Sequence, residues 1–100
     1  MSETVFEMKG STLTVKPQGE LDSLTSPAFE KELRGHLSGI SGLIVDLEQV
    51  AYISSAGLRV FLAVGQFLEN QSADMKLIHV NPHIMEILEL VGFPEIIRVE

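Results

Sequence analysis

Four small residues, Ser54-Ser55-Ala56-Gly57, follow an apolar stretch and precede a run with helical periodicity. A serine at the start of a helix sits where backbone N–H groups have no partner within the helix and carry partial positive charge. Such a hydroxyl could carry a phosphate, with the free amides holding the anion. Serine is also a favoured N-cap, so the same four residues could be only a helix start. Ala56 and Gly57 would let another protein's backbone come close.

Other chemistry finds little support. A serine hydrolase wants a Gly-x-Ser-x-Gly elbow with a histidine and an acid, and Ile53 stands two residues before Ser55. The histidines are His36, His79 and His83, without the spacing of a helical metal pair; they read as ordinary surface or partly buried side chains. Phe61, Phe67, Met85 and Phe93 read as core or helix-packing residues. There is no glycine-rich phosphate loop. There is no cysteine, which excludes disulfides, thiol catalysis and thiolate metal sites. No cofactor, no metal and no catalysis are expected.

The elements that must position the serines can be read from periodicity. Thr4 to Met8 and Thr12 to Lys16 read as two strands across the turn Lys9-Gly10-Ser11, an antiparallel hairpin. Pro17 to Ser23 reads as a loop. Thr25 or Ser26 then caps a helix with Pro27 in its first turn, an apolar stripe of Phe29, Leu33 and His36/Leu37, and an end at Gly39 to Gly42. Leu43 to Leu47 is almost continuously apolar, the mark of a central strand covered on both faces. Glu48 to Ser54 reads as a connection. The second helix runs to about Asn70 with Leu58, Phe61, Leu62, Gly65 and Leu68 inward. Met75 to Val80 is a strand. Asn81-Pro82 opens a third helix with Ile84, Ile87, Leu88 and Val91 as its stripe, Gly92 stops it, and Ile96 to Val99 is a last strand.

The order β-β-α-β-α-β-α-β predicts one α/β domain over residues 1–100 with a mixed, mostly parallel sheet. In such sheets sites form beyond the carboxyl ends of the strands, where Ser54 and Ser55 fall. The 100 residues carry a formal net charge of −7, which disfavours nucleic acid and anionic membranes as partners. No apolar run approaches the roughly 20 residues of a membrane span, and Met1 to Lys9 lacks an apolar signal core. A cytoplasmic protein without membrane insertion is expected.

Three segments give the chain a resemblance to the STAS domain family. Gly19-Glu20-Leu21-Asp22 followed by Thr25-Ser26-Pro27 resembles that family's first loop and helix start. Leu43-Ile44-Val45-Asp46-Leu47, Val50 and Ile53-Ser54-Ser55-Ala56-Gly57-Leu58 resemble its signature, and Gly92-Phe93 its ending. The resemblance implies an anti-sigma factor antagonist. It would bind an anti-sigma factor that is also a serine kinase of the GHKL ATPase type, be phosphorylated by it on one serine, and be reset by a phosphoserine phosphatase. Aligned on Gly57 the family's acceptor falls on Ser55, with Ser54 as the alternate because it stands where the family commonly has Asp. The partner-binding residues so implied are Asp22, Ser23, Thr25, Ser54, Ser55, Ala56, Gly57, Leu58 and Arg59. Asp22 could equally be a cap before the first helix, and Arg59 a solvated charge. The alternative is a STAS subunit of a lipid-transport ABC system or a stress-signalling complex, docking through the same helix face.

Overall fold

The computed structural model describes residues 4–100. In chain order the elements are β1 (Val5–Lys9), β2 (Thr12–Lys16), β3 (Gly19–Leu21), α1 (Ser26–Arg34), β4 (Gly42–Asp46), β5 (Val50–Ile53), α2 (Ser55–Asn70), β6 (Asp74–Ile78), α3 (Pro82–Leu90), a 3₁₀ turn (Phe93–Glu95) and β7 (Arg98–Val99). Five strands form one sheet in the order β1-β2-β4-β6-β7. Only the β1–β2 hairpin is antiparallel; β2–β4, β4–β6 and β6–β7 are parallel. The mixed, mostly parallel sheet expected from the sequence is the observed one.

Register explains which face became the core. Leu13 lies beside Leu43 and then Met75, and Val15 beside Val45 and then Leu77. These residues point to one side, and all but Met75 are fully buried. The intervening row is Thr14, Ile44 and Lys76, each half-buried. The central strand is therefore well covered on one face only, which corrects the expectation of burial on both. The run Leu43 to Leu47 looked continuous because Ile44 is apolar on the more open row.

Helix α1 and α2 pack together over the buried side, with Phe29 and Phe61 edge to face at 6.1 Å between centroids. The inward residues of α2 are Gly57, Val60, Phe61, Val64 and Leu68. Val60 and Val64 replace Leu62 of the expected stripe, and Leu62 is exposed. Phe93 is core as expected, but Phe67 is exposed beneath the Arg34 guanidinium, and Met85 is half-buried.

Several boundaries moved. Helix α1 ends at Arg34 with Gly35 as its cap, so His36 and Leu37 follow the helix; Leu37 is still buried. Gly42 begins β4. Helix α3 starts as expected, with the Asn81 side chain accepting from the Ile84 N–H at 2.8 Å, and stops before Gly92 at φ 73°. Val91 and Ile96 are exposed rather than packed, and the last strand shrinks to Arg98–Val99. Two further strands, β3 and β5, stand where the sequence reads as loop. They pair parallel as a separate two-stranded ribbon. Among the described residues no helix is long and apolar enough to cross a membrane.

Candidate functional site

The β3–β5 ribbon is what assembles the site. Because the two strands are parallel, their carboxyl ends lie together, and the segments after them become neighbours. One segment is Asp22 to Thr25, leading into α1. The other is Ser54 to Gly57, opening α2. The Ser54 N–H donates to the Leu21 carbonyl at 2.9 Å and locks the two together.

Gly57 explains how close they come. A Cβ at this position would stand 2.8 Å from the Leu21 carbonyl oxygen, 3.0 Å from Leu21 Cβ and 3.1 Å from Ile53 Cγ2. Gly57 is buried, so its smallness serves its own chain. The close approach seen at Gly57 is to Leu21 of the neighbouring strand β3.

The two serines have different environments. Ser54 is the N-cap of α2, in extended conformation, and its Oγ accepts from the Ala56 N–H at 3.2 Å. It is half-buried. Ser55 is the first helical residue, exposed, and its hydroxyl makes no hydrogen bond among the described residues. The position that resembles the family's Asp is thus a capping position. Asp and Ser are both strong N-caps, so the departure leaves the helix start intact.

Asp22 shapes the other segment. Its Oδ1 accepts from the Leu24 N–H at 2.9 Å and the Thr25 N–H at 3.0 Å. Hydrogen bonds from the Thr25 and Leu24 backbone, opposed by slight desolvation, hold the carboxyl below its ordinary value. The Thr25 hydroxyl donates to the Glu20 carbonyl at 2.6 Å and accepts from the Asp22 N–H at 3.0 Å. Thr25 occupies the N-cap position of α1 but makes no side-chain capping bond, which corrects the expected cap. Ser26 is a poorer candidate still, because its Oγ is buried with no hydrogen-bond partner. The Asp22 carboxylate turns the loop ahead of α1 by accepting from Leu24 and Thr25, and the first turn of the helix has no side-chain cap.

Ser23 and Arg59 are exposed, and Ala56 and Leu58 are half-buried, with Leu58 packed against the core. Sequence reasoning passed over Leu24, which is 87% exposed in the same loop; Tyr52, at the head of the serine segment, is 43% exposed on β5. The signal for Leu24 was present: an apolar residue inside the polar run Asp22-Ser23-Leu24-Thr25 has no helical or strand partner.

All three histidines are exposed, as expected. The structure adds partners for two of them, and His36 stacks on Phe6 with 4.0 Å between ring centroids. His79, held at φ 56°, places Nδ1 3.0 Å from Asp46 Oδ1. Burial alone would raise the Asp46 carboxyl, but the Glu48 N–H, the His79 imidazole and Lys16 outweigh it and the carboxyl is held below its ordinary value. Candidate ligand atoms of Asp46, Glu48 and His79 lie within 4.8 Å of one another. They are the residues that could hold a divalent cation, although Asp46 and His79 already satisfy each other as a clasp between the ends of β4 and β6.

A family profile for the STAS domain matches residues 4–100. The chain belongs to the STAS domain family. Its relatives include BtrV of Bordetella bronchiseptica, 36% identical over 83 residues that cover 82% of this chain and 72% of that protein. The anti-sigma-B factor antagonist of Staphylococcus aureus is 30% identical over 86 residues, covering 85% of this chain and 80% of the relative. Among solved structures, an anti-sigma factor antagonist from Mycobacterium paratuberculosis superposes with a TM-score of 0.88 at 22% identity, covering 99% of this chain and 85% of that one. The unphosphorylated form of the antagonist SpoIIAA superposes with a TM-score of 0.83 at 17% identity over 97% of this chain and 87% of its own. At these identities the superpositions establish the STAS fold.

Proposed function

We propose that this STAS domain is an anti-sigma factor antagonist switched by phosphorylation of Ser55. In this reading it binds an anti-sigma factor that is also a serine kinase of the GHKL ATPase type, and so frees a sigma factor. The kinase phosphorylates Ser55, the complex dissociates, and a phosphoserine phosphatase restores the binding form. The chain contributes a surface rather than catalysis, and the exchange takes place in the cytoplasm.

One observation carries the choice of serine. Ser54 spends its hydroxyl on the helix cap, whereas Ser55 is exposed with its hydroxyl unbonded among the described residues. An acceptor must reach a kinase's active site without dismantling the helix that presents it, and Ser55 meets that condition. The relatives named as anti-sigma factor antagonists support the wider reading. So does a structure of SpoIIAA in a phosphorylated form, whose fold matches with a TM-score of 0.75.

The docking face would comprise Asp22, Ser23, Thr25 and the segment Ser54 to Arg59, with Leu24 as its exposed apolar centre. A phosphate brings roughly −1.5 to −2 charges at neutral pH. Beside Asp22, already ionised, it would have to be desolvated in a packed interface, where like charge is costly. On the free protein the same phosphate stays in water at a helix N-terminus and is tolerated.

The test mixes the chain with ATP and the kinases encoded near its gene, and maps phosphate by mass spectrometry. Phosphate on Ser55 is expected. Ser55→Asp should weaken kinase binding while Ser55→Ala preserves it. Equal affinity of the two variants would refute the electrostatic switch, and modification of Ser54 alone would refute the site.

A further inference from the structure

Helix α2 carries a single Lys or Arg, and it stands four residues after Ser55. Residues four apart on a helix are neighbours on one face, with about 5–6 Å between their Cβ atoms. Helical side chains also lean toward the N-terminus, so a long side chain covers the turn before its own Cα. An arginine at 59 can therefore reach back over the turn that holds Ser55. The favourable order for such a pair is anion first and cation second, which is the order here.

Among the described residues this arginine has no competing partner. Lys16 is paired with Glu7, Arg34 with Glu30, and Lys76 and Arg98 with Glu100. Arg59 is exposed and enters no ion pair among the described residues. Neither Gly19 to Thr25 nor Val50 to Leu58 contains another Lys or Arg, so these two segments bring no second such cation to a phosphate here.

We propose that Arg59 is the internal receptor for a phosphate on Ser55. The inference rests on the phosphorylation switch above and specifies how it works. The guanidinium offers paired N–H donors to two phosphate oxygens. Phosphorylation then acts on the docking face twice. It adds negative charge, and it engages a cation that the face could have offered to a partner's carboxylate. Ser54 cannot use this receptor: it is five residues away, on a different face, and its hydroxyl is turned to the Ala56 N–H.

The experiment uses the full chain with phosphoserine installed during translation at position 55 or, separately, at 54. The second ionisation of each phosphate, ordinarily near pH 6, is followed by phosphorus NMR. At low salt the position-55 phosphate should titrate about half a pH unit lower than in Arg59→Ala. Arg59→Lys should recover part of the difference, and high salt should erase most of it. The position-54 phosphate should respond little to Arg59→Ala. Identical titration at position 55 with and without Arg59 would overturn the proposal, as would an equal response at both positions. Because no kinase is used, the outcome is independent of the switch itself. Failure of cognate kinases to modify Ser55 would overturn the switch and leave the contact standing.

Discussion

Substituting alanine for Gly57 tests the central structural claim, that α2 is seated directly on the backbone of β3. In an exposed helix, Gly→Ala gains about 1 kcal/mol. Here the added methyl would stand 2.8 Å from the Leu21 carbonyl oxygen, with Leu21 Cβ and Ile53 Cγ2 at 3.0 and 3.1 Å. The closest atom is backbone in a paired strand, so it cannot rotate away. The first turn of α2 must shift outward, and the Ser54 N–H to Leu21 bond at 2.9 Å must stretch with it. Overpacking of this kind costs about 1–3 kcal/mol, and the weakened hydrogen bond about 1 kcal/mol more. After subtracting the helix gain, the expected net loss is about 1–3 kcal/mol. At roughly 4–8 °C per kcal/mol for a domain of this size, the melting temperature should fall by at least about 4 °C. Gly65→Ala is the internal control. Its methyl would meet Ile97 Cδ1 at 2.9 Å, the free end of a flexible side chain. With the same helix gain and a neighbour that can turn aside, Gly65→Ala should be near neutral or mildly stabilising. Thermal and urea unfolding of both variants by circular dichroism gives the comparison. If Gly57→Ala is as stable as the parent, or Gly65→Ala is equally damaged, the reasoning from close approach is wrong.

Other consequences can be measured alongside. Ser54→Ala should lose about 1 kcal/mol of urea stability by removing the α2 cap, whereas Ser54→Asp should keep it, since both residue types cap. Ser26→Ala should be neutral or stabilising, because the Ser26 hydroxyl is buried without a partner; a loss above about 1 kcal/mol would show that the hydroxyl is satisfied after all. Asp46 and Asp22 have lowered carboxyl pKa values in the folded state. The folded protein therefore binds fewer protons than the unfolded chain in acid. Their stabilisation is complete above the unfolded carboxyl pKa of about 4 and disappears as pH falls through the lowered folded values. Urea midpoints should drop as pH falls below about 4, and Asp46→Asn should flatten that limb while costing about 1 kcal/mol at neutral pH.

The sequence by itself determined the fold class and the helix start at which the candidate site was expected. Alternation in Thr12 to Lys16, the apolar run at Leu43 to Leu47 and the capped starts of α2 and α3 are local signals, and each produced the element expected. The Ser-Ser-Ala-Gly segment was equally legible, because a helix start is written in a few adjacent residues. What the sequence lacked was anything that depends on a distant neighbour. β3 and β5 are short and irregular, three and four residues long, and become strands only by pairing with each other. That pairing brings Asp22 beside Ser54, turns Gly57 inward against Leu21, and leaves Leu24 outside. The division of labour between the serines was also invisible along the chain. Only the path of the backbone into α2 decides which hydroxyl closes the helix and which one is left to the solvent.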